Sequence, residues 1–592
     1  MLRVFTDKWL EKFLRWRLNR IPDKQFMGMM AVGAGLVAGL AAVVLKNTVH
    51  FIRMGIVEGV VMAHQPYLFF LFPLLGITLT ILFIRYVVRQ KVKHGVPNIL
   101  YSIAQTEGKI DRHNMYSSVV TSALTVGFGG SAGLEGPTVA TGAAYGSNLG
   151  RLFRLNHRQV SLLIACGCAG AIASIFKSPI AAIVFAVEVI MIDLTMASII
   201  PLLLASVAGA LTSHLLLGDG YLYSFQLTEG FLMQDLPYYL LLGIAAGLLS
   251  TYFSRVYMST GAVFKRIQGP WKKLMVGGLL LGGLIYLLPA FYGEGYEVVN
   301  SCLRGDFSYI QDSPLFSEHH DTVLVSIILL SAIVLLKVFA TAFTFGAGGV
   351  GGVFAPAFFI GANLGILFSR IAEQLNIHLN ASNFALVGMA GMMAGVLHAP
   401  LTAIFMIAEL TGGYELFLPL MLVSTIAYIT TKYSVPHSIY TEQLAERGEL
   451  LTHDTDQNTM KRLKVAELVE TNFNIVSPDQ SLGELVKVIS RSERNVFPVV
   501  DKQGYFKGIV FMNDIREIIF QPEKYDSVYV KDLMYYPKAT VSTSDSMESV
   551  ARLFQETGNY NLPVLEDGKY RGFVSRANVF STYRKLLKEF SE

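Results

Sequence analysis

The sequence is poor in charged residues, and this shortage limits the class of protein it can encode. Of its 592 residues only 16% are Asp, Glu, Lys or Arg, whereas 52% are hydrophobic. A chain this long and this apolar is typical of a polytopic membrane protein. The formal net charge of +4 is too small to favour a nucleic-acid partner.

Cysteine is also scarce, which argues against both a disulfide framework and a metal site. The chain has three cysteines, Cys166, Cys168 and Cys302, and none of them forms a C-x-x-C pair. Cys166 and Cys168 lie in an apolar stretch, where small residues of this kind serve packing. No nucleophile–base set or metal-ligand cluster is recognisable. We therefore predict a protein that is not an enzyme and that requires no metal or cofactor.

Long apolar segments recur from about residue 26 to residue 433. Some have the length of about 20 residues that crosses a membrane once. Others are longer but are interrupted by glycine and proline, so they must be several tilted or broken helices. Irregular backbone survives at membrane depth only where it is buried in protein or lines a polar path. We predict a transmembrane domain over residues 26–440.

Basic residues indicate how the chain is oriented. Residues 1–25 combine Lys and Arg with Trp, Leu and Phe, and predict an amphipathic helix on the cytoplasmic membrane surface. Two short loops carry further basic clusters, which the positive-inside rule places on the same side. These residues are Arg85, Arg89, Lys91, Lys93, Arg151, Arg154 and Arg158. Short loops and compact size favour a prokaryotic inner membrane.

Residues 127–137 read Gly-Phe-Gly-Gly-Ser-Ala-Gly-Leu-Glu-Gly-Pro within this apolar region. Glycines let successive backbone N–H groups converge on one point, and Pro137 suits the first position of a helix. The pattern predicts a helix that begins inside the membrane with its positive end at an anion site. Glu135 could occupy that site itself and act as a gate. The alternative is a helix-packing glycine run with a glutamate at a loop edge.

The membrane region contains an internal repeat, which we place over about 66–217 and 275–430. The four glycines at 127, 129, 130 and 133 recur at 346, 348, 349 and 352, and Pro137 recurs as Pro356, at a constant offset of 219 residues. At an offset of 221, residues 179–183 match 400–404 and Glu188 matches Glu409. Two homologous halves, each with a glycine-rich break, are typical of transporters whose site lies between the repeats. These matches do not distinguish parallel from inverted repeats.

The composition changes after the last apolar segment. Residues 441–463 are polar and predict a linker, and residues 464–592 alternate short strands with amphipathic helices. Asn495-Val496-Phe497-Pro498 followed by Gly508-Ile509 recurs as Asn561-Leu562-Pro563 followed by Gly572-Phe573. The tail is therefore a tandem pair of small α/β domains, predicted at 464–525 and 526–592.

These motifs together resemble the CLC family of chloride channels and proton-coupled anion transporters, with a tandem pair of CBS domains. The resemblance covers nearly the whole chain and rests on four motifs in the family's order. They are Gly95-Val96-Pro97, Gly133-Leu134-Glu135-Gly136-Pro137, Gly352-Val353-Phe354-Ala355-Pro356 and Tyr440.

The resemblance implies an inverted-repeat fold of broken, tilted helices, assembled as a homodimer in the lipid bilayer with cytoplasmic CBS domains. Chloride or a similar small anion would be the substrate, with protons as a second one in coupled members. Glu135 would be the outer gating glutamate. The implied anion-binding residues are His94, Gly95, Gly133, Gly136, Val353, Phe354 and Tyr440.

Two residues depart from the family pattern. His94 stands where the family has a serine that faces the anion, so it either donates an imidazole N–H or turns away toward the inner vestibule. Val189 stands where proton-coupled members mostly have a second, proton-relaying glutamate. Valine cannot take up a proton, which favours a voltage- or pH-gated chloride channel. A proton-coupled antiporter with another proton path is the alternative.

The CBS pair has an incomplete nucleotide signature, which pairs a hydroxyl residue with an aspartate three residues later. The first copy keeps Asp514, and the second keeps Ser575 together with Arg576. An adenine nucleotide at the pair and a purely structural tail are both consistent with this pattern. A different class of function, a CBS-based membrane sensor or structural assembly, would not need Glu135, the broken repeats or Tyr440.

Overall fold

The computed structural model describes residues 12, 14, 16–17, 19–58, 70–90, 95–106, 108–191, 196–218, 230–304, 309, 323–446, 460 and 463–591. It divides into two compact units, Met1–Leu450 and Leu451–Glu592. The helices of the first unit are α1 (Asp23–His50), α2 (Phe72–Phe83), α3 (Val96–Gln105), α4 (Asn114–Gly127), α5 (Glu135–Leu152), α6 (His157–Phe176), α7 (Pro179–Glu188), α8 (Met196–Leu217), α9 (Leu236–Arg266), α10 (Pro270–Leu287), α11 (Tyr296–Arg304), α12 (Val323–Gly346), α13 (Phe354–Gln374), α14 (Ala381–Leu397), α15 (Pro400–Leu410), α16 (Phe417–Ser434) and α17 (Glu442–Glu446). Helices α1 and α2 continue into the π-helical segments Phe51–Glu58 and Ile84–Val88.

The first unit combines long and short apolar helices, as expected of a polytopic membrane protein. Among the described residues, six helices are long and apolar enough to cross a membrane. Four more apolar helices are too short for an ordinary span. Short helices at membrane depth leave their terminal backbone groups inside the protein, where they are available to a site.

Only part of the predicted N-terminal helix lies within the described residues. Residues 1–11, 13, 15 and 18 are outside them. Arg17 is buried, forms an ion pair with Asp23, and has its guanidinium carbon 4.1 Å from the centre of the Phe26 ring. This arginine therefore packs on the beginning of α1.

The two glycine-rich breaks are symmetry mates that hydrogen-bond to each other. The backbone N–H of Gly133 donates to the carbonyl of Gly352 at 2.9 Å, and the N–H of Gly352 donates back to Gly133 at 2.7 Å. The pairing is antiparallel. A contact in which each residue meets its own repeat mate requires a local two-fold axis. The two glycine-rich breaks, and the halves that carry them, are therefore related by such an axis.

A second pair of repeat-related residues, Thr125 and Thr344, lies on the two sides of the same axis. Thr344 accepts from the N–H of Ser131 at 3.0 Å, and Thr125 accepts from the N–H of Val350 at 3.1 Å. Both threonines are fully buried, so these hydroxyls satisfy loop N–H groups that water cannot reach. The two breaks are thus held by side chains from each other's half.

Each half contains a pair of helices in backbone contact. A Cβ on Gly142 of α5 would lie 2.2 Å from the carbonyl oxygen of Gly167 in α6. A Cβ on Gly361 of α13 would lie 2.4 Å from that of Gly388 in α14. Only glycine permits this approach, so the glycine spacing that marks the repeat in the sequence also determines its helix packing.

The short helices α7 and α15 cap each other. Glu188, at the end of α7, accepts from the N–H groups of Leu401 (3.1 Å) and Thr402 (2.7 Å) at the beginning of α15. Glu409, near the end of α15, accepts from those of Ile180 (3.0 Å) and Ala181 (2.8 Å) in the first turn of α7. Each carboxylate satisfies first-turn N–H groups and complements the positive helix end. Glu188 therefore has a structural partner, as its repeat mate suggested.

The second unit contains two small antiparallel hairpins. Its elements are α18 (Val465–Leu468), α19 (Leu482–Ile489), β1 (Val496–Val500), β2 (Phe506–Phe511), α20 (Met512–Ile515), α21 (Val530–Leu533), α22 (Met547–Thr557), β3 (Asn561–Glu566), β4 (Lys569–Ser575) and α23 (Arg576–Ser591). Strand β1 pairs with β2 and β3 with β4, each with an irregularity in its register. Ser481 and Ser546 cap α19 and α22, so the two copies repeat even in their capping residues.

The two copies pack against each other. The rings of Phe473 and Phe573 lie 4.6 Å apart between centroids. The N–H of Phe506 donates to Gly568 at 3.0 Å, and that of Tyr570 donates to Gly504 at 3.2 Å. These contacts bury aromatic surface that a single copy would expose.

Candidate anion gate

The site begins with two helix N-termini that face each other. Helix α5 begins at Glu135 and α13 at Phe354, directly after the paired glycines. A Cβ on Gly136 would lie 3.1 Å from the Cα of Gly352, so the two chains approach in backbone contact. The first N–H groups of a helix have no intrahelical acceptor, and the helix dipole adds positive potential there. Gly133, Gly136, Val353 and Phe354 lie at these two helix beginnings, and their role in anion binding stays a prediction.

The carboxylate of Glu135 lies between these helix ends. Its side chain is fully buried, and among the described residues its Oε2 atom has no hydrogen-bond partner. The hydroxyl of Tyr296 donates to its Oε1 atom. A Cβ on Gly133 would lie 2.0 Å from Oε2, so only glycine at 133 leaves room for the carboxylate in this position. A negative side chain therefore occupies a place suited to an anion.

Tyr440 contributes a buried hydroxyl near the same point. Its side chain is 6% exposed, and among the described residues its oxygen has no hydrogen-bond partner. Glu135 and Tyr257 are the ionisable groups close to it. A buried hydrogen-bond donor without an acceptor costs free energy, and a bound anion would supply the acceptor. The geometry therefore fits the anion-contacting role that the sequence suggested for Tyr440.

Phe354 supplies an apolar wall. Its side chain is buried, and its ring centroid lies 5.7 Å from that of Phe185 and 6.3 Å from that of Phe176. Its backbone opens α13, so the residue offers an N–H group to the site while its ring excludes water. Excluding water strengthens the attraction between helix-end dipoles and a small anion.

Gly95 stands where α3 begins, with a positive φ of 83° and Pro97 in the first turn. This conformation favours glycine and leaves a third helix N-terminus with free N–H groups. His94 lies outside the described residues, so its two alternative orientations remain a prediction.

Val189 lies at the end of α7 and is buried among apolar groups. Its neighbour Glu188 uses both carboxylate oxygens on α15, and Oε2 also accepts from the hydroxyl of Thr402 at 2.7 Å. The carboxylate nearest to the valine along the chain is therefore already engaged in a cap.

Three residues of this region were missed by the motif reasoning. Tyr296 contacts the gate directly, and Glu294 and Lys46 lie close enough to interact electrostatically with Glu135. One signal could have revealed Glu294. It stands between two glycines in an apolar region. The gate motif likewise places a carboxylate beside a glycine. An ionisable group within the membrane is a functional candidate.

In the second unit the predicted nucleotide residues lie at the ends of the two hairpins. Asp514 and Arg576 are exposed. The hydroxyl of Ser575 donates to Glu470 at 2.5 Å and accepts from the N–H of Asn578 at 3.1 Å. Ser575 thus already joins the two copies and caps α23, which is consistent with a structural role.

Comparison with known proteins identifies the same two parts. The sequence model of the voltage-gated chloride channel family matches residues 76–432, and that of the CBS domain matches residues 465–521 and 530–585. A putative chloride channel protein ClcB-like from Ralstonia nicotianae is 32% identical over 389 residues, which are 64% of this chain and 86% of that protein.

Solved structures agree with the sequence matches. A CLC-type fluoride/proton antiporter superposes with a TM-score of 0.58 and 26% identity, covering 70% of this chain and 97% of that one. A eukaryotic CLC transporter gives a TM-score of 0.60 at 18% identity, covering 93% and 97% of the two chains, and so supports the fold alone. The predicted architecture, an inverted-repeat membrane domain followed by a CBS pair, is confirmed.

Proposed function

Because the chain belongs to the CLC family of chloride transport proteins, which are not enzymes, we propose that Glu135 gates its anion path. The protein moves chloride or a similar small anion through the point where α5 and α13 meet. Protonation of Glu135, or competition by an anion, removes the carboxylate from this point and opens the path.

One observation carries this proposal: the Glu135 carboxylate lies between two helix N-termini, and no cationic side chain among the described residues forms an ion pair with it. Its Oε1 atom accepts from the hydroxyl of Tyr296, and the carboxylate lies at the beginnings of α5 and α13, where the helix ends supply positive potential. Partial positive charges bind a weakly hydrated anion without trapping it, because dissociation does not require separating two full charges. The buried hydroxyl of Tyr440 completes this set of neutral donors.

The anion-binding residues follow from the same geometry. The backbones of Gly95, Gly133, Gly136, Val353 and Phe354 and the hydroxyl of Tyr440 surround the path. We keep His94 as a further donor on the cytoplasmic side. If His94 binds the anion, His94→Ser should alter the pH dependence of anion affinity, and an unchanged dependence would contradict that role.

We favour a channel over a proton-coupled antiporter. Val189 cannot hold a proton, and Glu188 beside it is engaged in capping α15. The antiporter remains the second candidate, because a solved relative that is 26% identical is a fluoride/proton antiporter. Antiport in this chain would require a proton path that avoids both residues.

Several further assignments belong to this proposal. We expect a homodimer in a prokaryotic inner membrane, with the CBS pair in the cytoplasm. CBS domains often bind adenine nucleotides, and we propose Asp514, Ser575 and Arg576 as the residues to test for such a site.

The deciding experiment uses purified protein in liposomes loaded with chloride. A chloride gradient is imposed without a proton gradient, and valinomycin with potassium clamps the voltage while chloride and pH are recorded. Chloride flux without proton movement, and faster flux in Glu135→Gln, would support a gated channel. Uphill proton movement in fixed ratio to chloride would identify an antiporter. Absence of flux in both the parent protein and Glu135→Gln would contradict the transport proposal.

A further inference from the structure

The segment between α10 and α11 packs over the gate loop. It begins with the turn Pro289–Phe291, and Gly293 and Gly295 both have positive φ. The N–H of Gly293 donates to the carbonyl of Gly129 at 3.2 Å. The ring of Tyr292 fills the space beside Gly129, where a Cβ would lie 2.2 Å from it. The segment is therefore fixed against the loop that carries Glu135.

This fixed segment brings Tyr296 onto the gate. Its hydroxyl donates to Oε1 of Glu135. A hydrogen bond to a carboxylate favours the charged form over the neutral acid. The contact therefore stabilises Glu135 as an anion in the position that blocks the path.

The same segment carries Glu294, whose effect on the charge of Glu135 is opposite to that of Tyr296. Glu294 is partly buried and lies two residues before Tyr296 in this fixed segment. Glu294 and Glu135 interact electrostatically. Repulsion between two carboxylates is mutual, so a charged Glu294 favours protonation of Glu135.

Cationic side chains near Glu135 and Glu294 offset the negative charge of the two carboxylates. Lys46, near the end of α1, donates to the carbonyl of Ile175 at 2.6 Å and interacts with both carboxylates. Lys177 interacts with Lys46, and Arg53 interacts with Glu294 while forming an ion pair with Glu297 at 2.5 Å. Tyr440 is a further ionisable group close to Glu135, and Tyr257 lies close to Tyr440.

This cluster lies on the outer side of the membrane. Helix α6 has 20 residues and is apolar enough to span, which corresponds to about 30 Å. It separates the basic loop that contains Arg151, Arg154 and Arg158 from Lys177. Since the positive-inside rule places that loop in the cytoplasm, Lys177 and its neighbours face outward.

We propose that Tyr296 and Glu294 are positioning residues that set, in opposite directions, the external pH at which Glu135 leaves its site. Tyr296 holds the gate closed, and Glu294 makes it easier to open. This inference rests on the proposed gating role of Glu135 and extends it to residues outside the four family motifs of the sequence.

The test measures chloride flux in liposomes against external pH, with internal pH fixed and the voltage clamped. Tyr296→Phe should move the midpoint of activation toward less acidic pH by about one unit, the size expected of a charge-assisted hydrogen bond. Glu294→Gln should move the midpoint toward more acidic pH by about 0.5–1 unit. The double variant should lie between the two.

Two matched controls separate these effects from general damage. Tyr309→Phe removes a tyrosine hydroxyl that donates to Asn363 at 2.8 Å, away from the gate. Glu373→Gln removes an exposed carboxylate that forms an ion pair with Arg370 at 3.0 Å and does not belong to this cluster. Both should move the midpoint by less than about 0.3 unit, because exposed charges are screened by water and salt.

Glu135→Gln distinguishes the failure of this inference from the failure of the gate itself. If flux through Glu135→Gln still titrates like the parent, the gating proposal fails. If Glu135→Gln is insensitive to pH but Tyr296→Phe and Glu294→Gln share the parent midpoint, or move it in one direction, the positioning roles are overturned. A midpoint that responds to internal rather than external pH would overturn the outward placement.

Discussion

Replacing Glu188 by glutamine neutralises the carboxylate that caps α15, and Glu409→Gln does the same to the cap of α7. Glu188 accepts from two backbone N–H groups and from the hydroxyl of Thr402, whereas Glu409 accepts from two N–H groups. Hydrogen bonds to charged groups contribute about 1.5–3 kcal/mol each, and bonds that share one acceptor group do not add fully. Glutamine keeps one acceptor oxygen but turns an amide NH₂ toward N–H donors.

We therefore expect each substitution to destabilise the membrane domain by about 2–3 kcal/mol, with Glu188→Gln at the upper end. Both helix ends also lose a favourable charge–dipole interaction. The assay is thermal unfolding of detergent-solubilised protein, followed by loss of the monodisperse elution peak. Thr402→Val is a useful companion, because it removes only the side-chain hydrogen bond and should cost about 1 kcal/mol.

Comparing Glu188→Gln with Glu409→Gln tests whether the role of Glu188 is structural. A pure cap predicts similar losses of stability in Glu188→Gln and Glu409→Gln, with chloride flux per folded protein unchanged in both. If Glu188→Gln alone abolished proton movement while leaving stability intact, Glu188 would be the proton relay, and the argument from reciprocal capping would be refuted.

Three other substitutions test the packing around the gate, between helices and in the CBS pair. Gly133→Ala places a methyl group where the gate carboxylate lies, so flux should rise and lose its pH dependence in the liposome assay; a parent-like pH profile would contradict this position of the carboxylate. Gly142→Leu should prevent folding, because even a Cβ would lie 2.2 Å from a carbonyl oxygen, whereas Gly283→Ala, with no atom within 4 Å of the new Cβ, should yield normal amounts of monodisperse protein. Ser575→Ala removes the bond to Glu470 and a helix cap, and should cost the full-length protein about 1–2 kcal/mol in the unfolding of its CBS unit; calorimetry with ATP that shows lost binding and unchanged stability would instead make it a ligand residue.

Much of the fold could be predicted because local chemistry determines it. The glycines of the two breaks must be glycine, since Gly129 and Gly348 adopt positive φ and Gly133 leaves room for the carboxylate. Their constant spacing in the two halves marks the repeat without any knowledge of contacts. The gate was predictable for a related reason, since an ionisable residue inside an apolar run stands out.

Other features depend on which segments meet, and no local pattern records that. The two-fold relation between the repeats is visible only in the reciprocal pairing of Gly133 with Gly352. The cap made by Glu188 spans more than 200 residues of sequence and is visible only once α7 and α15 lie antiparallel.

The sequence by itself determined the membrane class, the repeat, the candidate gate residue Glu135 and the paired CBS tail, because each depends on composition or on a short motif. The tertiary structure alone brought Tyr296, Glu294 and Lys46 to Glu135 from distant parts of the chain. Electrostatic balance at a buried carboxylate depends on distances of a few ångström. Such distances are decided by packing between segments, and the order of residues along the chain does not contain them.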